Sequence, residues 1–320
     1  MNRRTLLAGG LCAALLARAT GKPRPRVVYI AHSVGAVTRS WYAEHGFVDG
    51  RDVEIVAETL AGATGAAMEP RARELLRSRP SVVMLPGWEP IFLFRGLTRD
   101  VPLVFVNFGD DPVGLGLVQS LRRPGGNMTG SAQNLMSMTP KLFELLREVR
   151  PGGKRGGVLV KESSLRGRHM VQGHQEIERA GRLHDLDIAA IVVPDDPPMA
   201  AVRAKLERER VDYLFVTDDL HGTAMMPELL AHLERARIPA IYISPQLVRD
   251  GGLMSFTPDF AQGRKNAVAI AARILRGENP GEIPVYQTDR YHVAINRKTA
   301  RAMGLQVSAA LLTRADEVVD

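Results

Sequence analysis

The stretch "GDDPVGLGLVQSLRRPGGNMTG", residues 109–130, decides which kind of α/β fold this chain can have. Its Gly114-Leu115-Gly116 opens like the phosphate loop of a dinucleotide-binding sheet, a motif that needs a third glycine three residues after the second and the glycines between strand and helix. Position 119 is Gln119, and both glycines follow Pro112. The spacing instead predicts Asp111 as the cap of a helix with Pro112 at its first position, where the missing N–H costs nothing. Gly114 and Gly116 are then expected inside that helix, allowing close packing on a sheet, and nucleotide binding drops out.

Outward from this joint the chain alternates short β-rich runs with helix-length segments. Strands are expected at 26–33, 52–59, 81–87, 102–108, 156–162, 187–194, 211–218 and 239–244. Most are continuous apolar runs, as in strands covered on both faces of a parallel sheet. Helices are expected at 140–149, 169–185, 199–210 and 223–237; in the last, Met226, Leu229, Leu230 and Leu233 recur along one face. The repeating order predicts α/β architecture with two doubly wound parallel-sheet lobes, broken near residues 126–140. A long helix over 260–278, further strands near 285 and at 290–296, and a short helix from Lys298 are left over after the second sheet. They suit a chain that crosses back, with three crossovers. The expected division is 26–132 plus 256–289 for one lobe and 133–255 plus 290–320 for the other.

Residues 1–19 differ from the rest: Arg3 and Arg4, an apolar run over 5–16, then Ala17-Arg18-Ala19 as a small-x-small exit. This reads as an export signal, by the general or the twin-arginine route, and predicts a periplasmic protein. Cys12, the one cysteine, lies in that segment, so the mature chain is expected to use no disulfide, thiolate metal site or cysteine nucleophile. The formal charge of +7 falls to +4 once Arg3, Arg4 and Arg18 leave with the signal. Charges are interspersed and aromatics are only 5%, which argues against nucleic acid as a partner.

The stretch at 109–130, followed by "IPAIY" (238–242), "GGLMSF" (251–256), "AINRKTARAMGL" (294–305) and "LLTRADEVVD" (311–320), resembles the solute-binding proteins of one ABC-transporter family. Members of that family include tryptophan- and other aromatic-amino-acid-binding proteins. The resemblance runs from about Val27 to the C-terminus. It implies a bilobed fold like that of type I periplasmic binding proteins, no catalysis, no cofactor, and a monomer that delivers a small solute to an ABC permease in the inner membrane. Two departures accompany it: a short first helix after Ser33, and Trp88 in "PGWEP" (86–90) where the family often carries a threonine.

Ligands of such sheets bind outside the carboxyl ends of the strands. The candidate residues are therefore Ser33, Gly87, Trp88, Glu89 and Asp110 from the first lobe, and Ser163, Asp218 and Ser244 from the second, with Lys161, Glu162 and Asp219 beside them. Short polar side chains and free N–H groups at helix starts hold carboxylates, an acid holds an ammonium, and an indole covers an aromatic or cationic body. Asp218, which directly ends a buried run, is the leading candidate; its competing role is a helix cap. No nucleophile elbow and no paired-histidine metal motif occurs, and His169 and His174 are five apart, off a common helix face. A receptor of the same fold feeding a sensor, and an exported hydrolase, are the competing readings.

Overall fold

The computed structural model describes residues 23–60, 65–109, 111–133, 135–162, 181 and 186–320. The export signal and, apart from Gly181, the helix expected at 169–185 lie outside them. Two sheets organise the described chain. The first has the order β11-β5-β4-β3-β1-β2, from β1 (Arg26–Ile30), β2 (Glu54–Glu58), β3 (Val82–Pro86), β4 (Leu103–Phe108), β5 (Met128–Ala132) and β11 (Tyr286–Gln287). The second runs β13-β12-β10-β9-β8-β6-β7, from β6 (Arg155–Lys161), β7 (Asp187–Val193), β8 (Tyr213–Val216), β9 (Ala240–Tyr242), β10 (Met254–Pro258), β12 (Tyr291–Asn296) and β13 (Glu317–Val319). Every pairing among these strands is parallel except β10 with β12.

The helices are α1 (Ala36–Glu44), α2 (Gly65–Arg77), α3 (Trp88–Leu97), α4 (Leu135–Val149), α5 (Met199–Glu209), α6 (Met226–Ala236), α7 (Pro245–Arg249), α8 (Phe260–Leu275), α9 (Arg297–Ala302) and α10 (Ala309–Arg314). Because side chains alternate across a strand, each sheet feeds two cores. In the first, Val83, Leu85 and Phe105 pack under α2 and α3 with Leu75, Ile91 and Phe94, while Val27, Met84 and Val104 pack under α1 and α8 with Tyr42, Ala267 and Ile274. In the second, Val158, Phe215 and Ile241 meet Leu142 and Phe143 of α4, and Leu159, Leu214 and Val216 meet Val202, Leu206, Leu229 and Leu233 of α5 and α6. The apolar face read into α6 is buried at all four of its positions.

Two sequence expectations change. Residues 112–116 form turns, not a helix. Asp111 does cap them: its Oδ1 accepts from Val113 N at 2.9 Å and its carbonyl from Leu115 N at 3.1 Å. Gly116, at φ +64°, then leaves the helical region after a single turn. Gly114 faces the Asp111 carboxylate, where a Cβ would stand 2.6 Å from Oδ2, so the glycines serve the loop and not a helix–sheet contact. The second change is β5, whose sequence, Met-Thr-Gly-Ser-Ala, was expected to be part of the break between lobes. All five residues are buried, and the hydroxyls that disguise the strand are paired: Thr129 donates to Ile283 O at 2.8 Å and Ser131 Oγ accepts from Asn107 N at 2.9 Å.

The chain passes between the sheets after β5, after β10 and after β11. The passing segments hold one another. Thr288 N donates to Ala132 O at 3.1 Å, Asp259 N to Arg290 O at 2.9 Å, and Asn107 Nδ2 to Phe260 O at 2.9 Å. Asp259 also caps α8 by accepting from Gln262 N at 2.8 Å. That cap launches α8 back onto the first sheet, where Lys265 pairs with Glu44 at 3.0 Å and Arg276 donates to His45 O at 2.7 Å, both at the end of α1.

Candidate functional site

Each sheet has one place where neighbouring strands send their connections in opposite directions: between β1 and β3 in the first, between β6 and β8 in the second. Such switch points leave a crevice beyond the carboxyl ends of the strands. The first holds a cavity of about 210 Å³ lined by Tyr29 of β1, Ala31 and Ser33 after it, Val34, Gly35 and Thr38 at the start of α1, Met84 and Pro86 of β3, Val106 of β4, and Arg264 of α8. Its walls are mainly apolar. Tyr29 contributes a neutral ring, since burial drives its hydroxyl pKa well up and the Tyr42 hydroxyl accepts its proton at 3.1 Å.

At the second switch point the described residues carry a carboxylate. Asp219 Oδ2 accepts from Lys161 N at 3.0 Å, and its other oxygen accepts from Thr217 Oγ1, which also donates to Leu159 O at 2.7 Å. This carboxylate joins the ends of β6 and β8. Its neighbour Asp218 opens a 3₁₀ turn (Asp218–Leu220) with a side chain 64% exposed and His221 Nδ1 3.8 Å away.

These features match a known family. The family described as ABC transporter substrate binding protein matches residues 44–319. The chain belongs to that family. A curated tyrosine-binding protein from Clostridioides difficile (strain R20291) is 26% identical over 213 residues, 67% of this chain; the match spans 60% of that relative's length. Among solved structures, an ABC domain in complex with L-Trp from Streptococcus pneumonia superposes with TM-score 0.75 at 20% identity, covering 92% of this chain and all of that one. A conserved domain protein from Vibrio cholerae gives 0.73 at 22% identity, with 93% and 100% covered. The ligand-free, open structure of a substrate binding protein with adhesive properties from Clostridium difficile gives 0.68 at 19%, with 93% and 99% covered. At these identities the structures establish the shared fold: two parallel-dominated α/β sheets of the periplasmic-binding-protein type.

In this family member the structure distributes the candidates as follows. Ser33 lines the cavity. Gly87, at φ +80°, is the exposed residue that turns β3 into α3, and Glu89 sits exposed in the first turn of that helix, where a negative charge suits the helix dipole. Trp88 stacks on Phe92 (centroids 5.3 Å apart, planes 4° apart) and against Phe108 at 4.7 Å, on the α2/α3 side of the sheet and outside the lining of the cavity. Ser244 precedes α7, half-buried, its side chain making no capping bond. Asp110 and Ser163 lie outside the described residues. Asp218 does not cap α6, which begins at Met226 after Thr223 accepts the turn.

Sequence reading missed Arg264, Thr38 and the β3–β4 wall. Arg264 was hidden in a helix read for its apolar face. The available signal was position: it falls in the second turn of the helix that follows the return crossing. Among the described residues there is no group of three or more metal-binding side chains, and no helix is long and apolar enough to cross a membrane.

Proposed function

We propose that the protein is an exported solute-binding protein that captures a small molecule between the carboxyl edges of its two sheets and delivers it to an ABC-type permease. Residues 1–19 direct it to the periplasm. The lobes divide at 132/133 and 289/290, with the middle crossing just after Pro258, and the hydrogen-bonded crossing segments form the hinge on which they close. The observation that carries this reading is the cavity at the β1/β3 switch point, a ready-made concave site in a chain whose family captures substrates. The relatives that bind tyrosine and tryptophan support an amino-acid-like or aromatic solute. Ser33, Gly87 and Glu89 frame the site on one side; Asp218 and Ser244 approach from the other.

The test is a thermal-shift screen on the mature protein, with mass spectrometry of any co-purified small molecule. A solute that binds only the folded state raises the melting temperature by mass action. Asp218→Ala should weaken the identified solute about tenfold, roughly 1.4 kcal/mol, with the ligand-free melting temperature unchanged, since the side chain is exposed. A shift of full size in the variant removes Asp218 from the site. Chemical turnover of the solute would refute capture altogether.

A further inference from the structure

We infer that the β1/β3 cavity recognises the carboxylate of a small aryl or alkyl acid, with Arg264 as its counter-ion, and that an ammonium group on the solute is dispensable there. The inference rests on the solute-binding reading and specifies the chemistry of its first-lobe half.

Three observations converge. Arg264 lines the cavity, and no ion pair or hydrogen bond engages its guanidinium among the described residues, although the adjacent Lys265 is taken by Glu44 at 3.0 Å. An unpaired guanidinium lining an apolar cavity is a natural partner for a planar carboxylate, which it grips through two parallel N–H bonds. The mouth of the cavity is also the start of α1, where Gly35 offers no side-chain acceptor and the first turn holds no acidic residue. Its orphan N–H groups, and the hydroxyls of the lining residues Ser33 and Thr38, are further donors at this end of the cavity. Finally, the rest of the described lining is uncharged and mostly apolar: Tyr29, Ala31, Val34, Met84, Pro86 and Val106. Among the described residues no carboxylate lines the cavity to receive an ammonium. For scale, an apolar cavity of about 150 Å³ accommodates benzene; the 210 Å³ here takes a ring with a short acid tail.

The decisive comparison uses three probes that share a phenylethyl body: 3-phenylpropionate, L-phenylalanine and 2-phenylethylamine, titrated calorimetrically into the mature protein. Both carboxylates should bind and the amine should not. Arg264→Gln should weaken both acids at least tenfold, and Arg264→Lys should recover part of the loss, because it restores the charge without the fork. Arg264 is on an exposed helix position, and equal ligand-free melting temperatures will verify that the variants fold. Failure of both acids to bind, binding of the amine as tight as that of the acids, or full affinity in Arg264→Gln each overturns the inference. If the acids fail while another solute binds in an Asp218-dependent way, solute capture stands and only the carboxylate assignment falls. If no small molecule binds at all, it is the proposed function that fails.

Discussion

The two switch points are built to the same register yet finished differently. Val27 pairs with Val82 across β1 and β3 as Gly156 pairs with Tyr213 across β6 and β8. One step before these pairs, each sheet is stapled at its amino end by an equivalent contact. Arg26 N donates to Ser81 Oγ at 3.2 Å, and Arg155 N to Asp212 Oδ2 at 3.0 Å. Six residues past the pairing residues of β3 and β8, the equivalence ends: the first sheet has Trp88 and the second Asp219. Asp219 turns inward and joins the strands; Trp88 turns to the opposite face and stacks on Phe108 and Phe92. The same scaffold therefore carries an inward carboxylate at one switch point and an apolar cavity at the other. The two side chains, Trp88 and Asp219, can be tested residue by residue.

The largest expected effect is at the second switch point. Asp219→Ala leaves Lys161 N–H without its acceptor and removes one link between the ends of β6 and β8, and should lower unfolding free energy by about 3 kcal/mol, the scale for losing charged hydrogen bonds at a partly buried site. Chemical denaturation measures it. Asp218→Ala, one residue away and exposed, should stay within about 0.5 kcal/mol of wild type. Equal losses in the two variants would mean that the adjacent acids do not divide into a strand staple and a free group.

Trp88 tests the open side. Trp88→Ala removes the half-buried stack on Phe92 and Phe108 and should cost about 2 kcal/mol, less than a fully buried indole. If the indole turns away from the crevice as its position implies, affinity for the solute should change by no more than about twofold. A large loss of affinity with little loss of stability would put the indole over the ligand and break the contrast with Asp219.

How far the sequence revealed this arrangement follows from which forces leave a mark on it. Continuous apolar runs exposed β3, β4, β6 and β8, because strands covered on both faces tolerate few polar groups. β5 stayed hidden because its hydroxyls are satisfied by distant partners, Thr129 by Ile283 and Ser131 by Asn107, and no local pattern shows such pairing. The turn at Gly114 and Gly116 looked helical because a proline after a capping aspartate is the same signal whether one turn follows or three. Asp218 and Asp219 were legible as a pair at a strand end, but which of them turns inward depends on the register of β6 beside β8. Arg264 left only its position early in the helix after the return crossing as a mark, since its place at the cavity depends on a crossing that brings residues distant in sequence to the edge of the first sheet.

The smallest effect separates the amino-end staples by chemistry. Burial alone would raise the Asp212 pKa, but the N–H groups of Arg155 and Lys154, at 3.0 and 2.8 Å, outweigh it, and the pKa lies below the usual carboxylate value. A depressed folded pKa gives stability that is fully present above the unfolded value and disappears as pH falls through the folded one. Ser81, its counterpart, carries no charge and gives no such dependence. Between about pH 6 and about pH 3, Asp212→Asn should therefore lose less stability than the wild type, because the variant has already given up the part that protonation removes. Ser81→Ala should instead run parallel to the wild type over the same range. Parallel curves for both variants would mean that the Asp212 charge contributes nothing to joining β6 to β8, and that the two lobes differ only at their carboxyl edges.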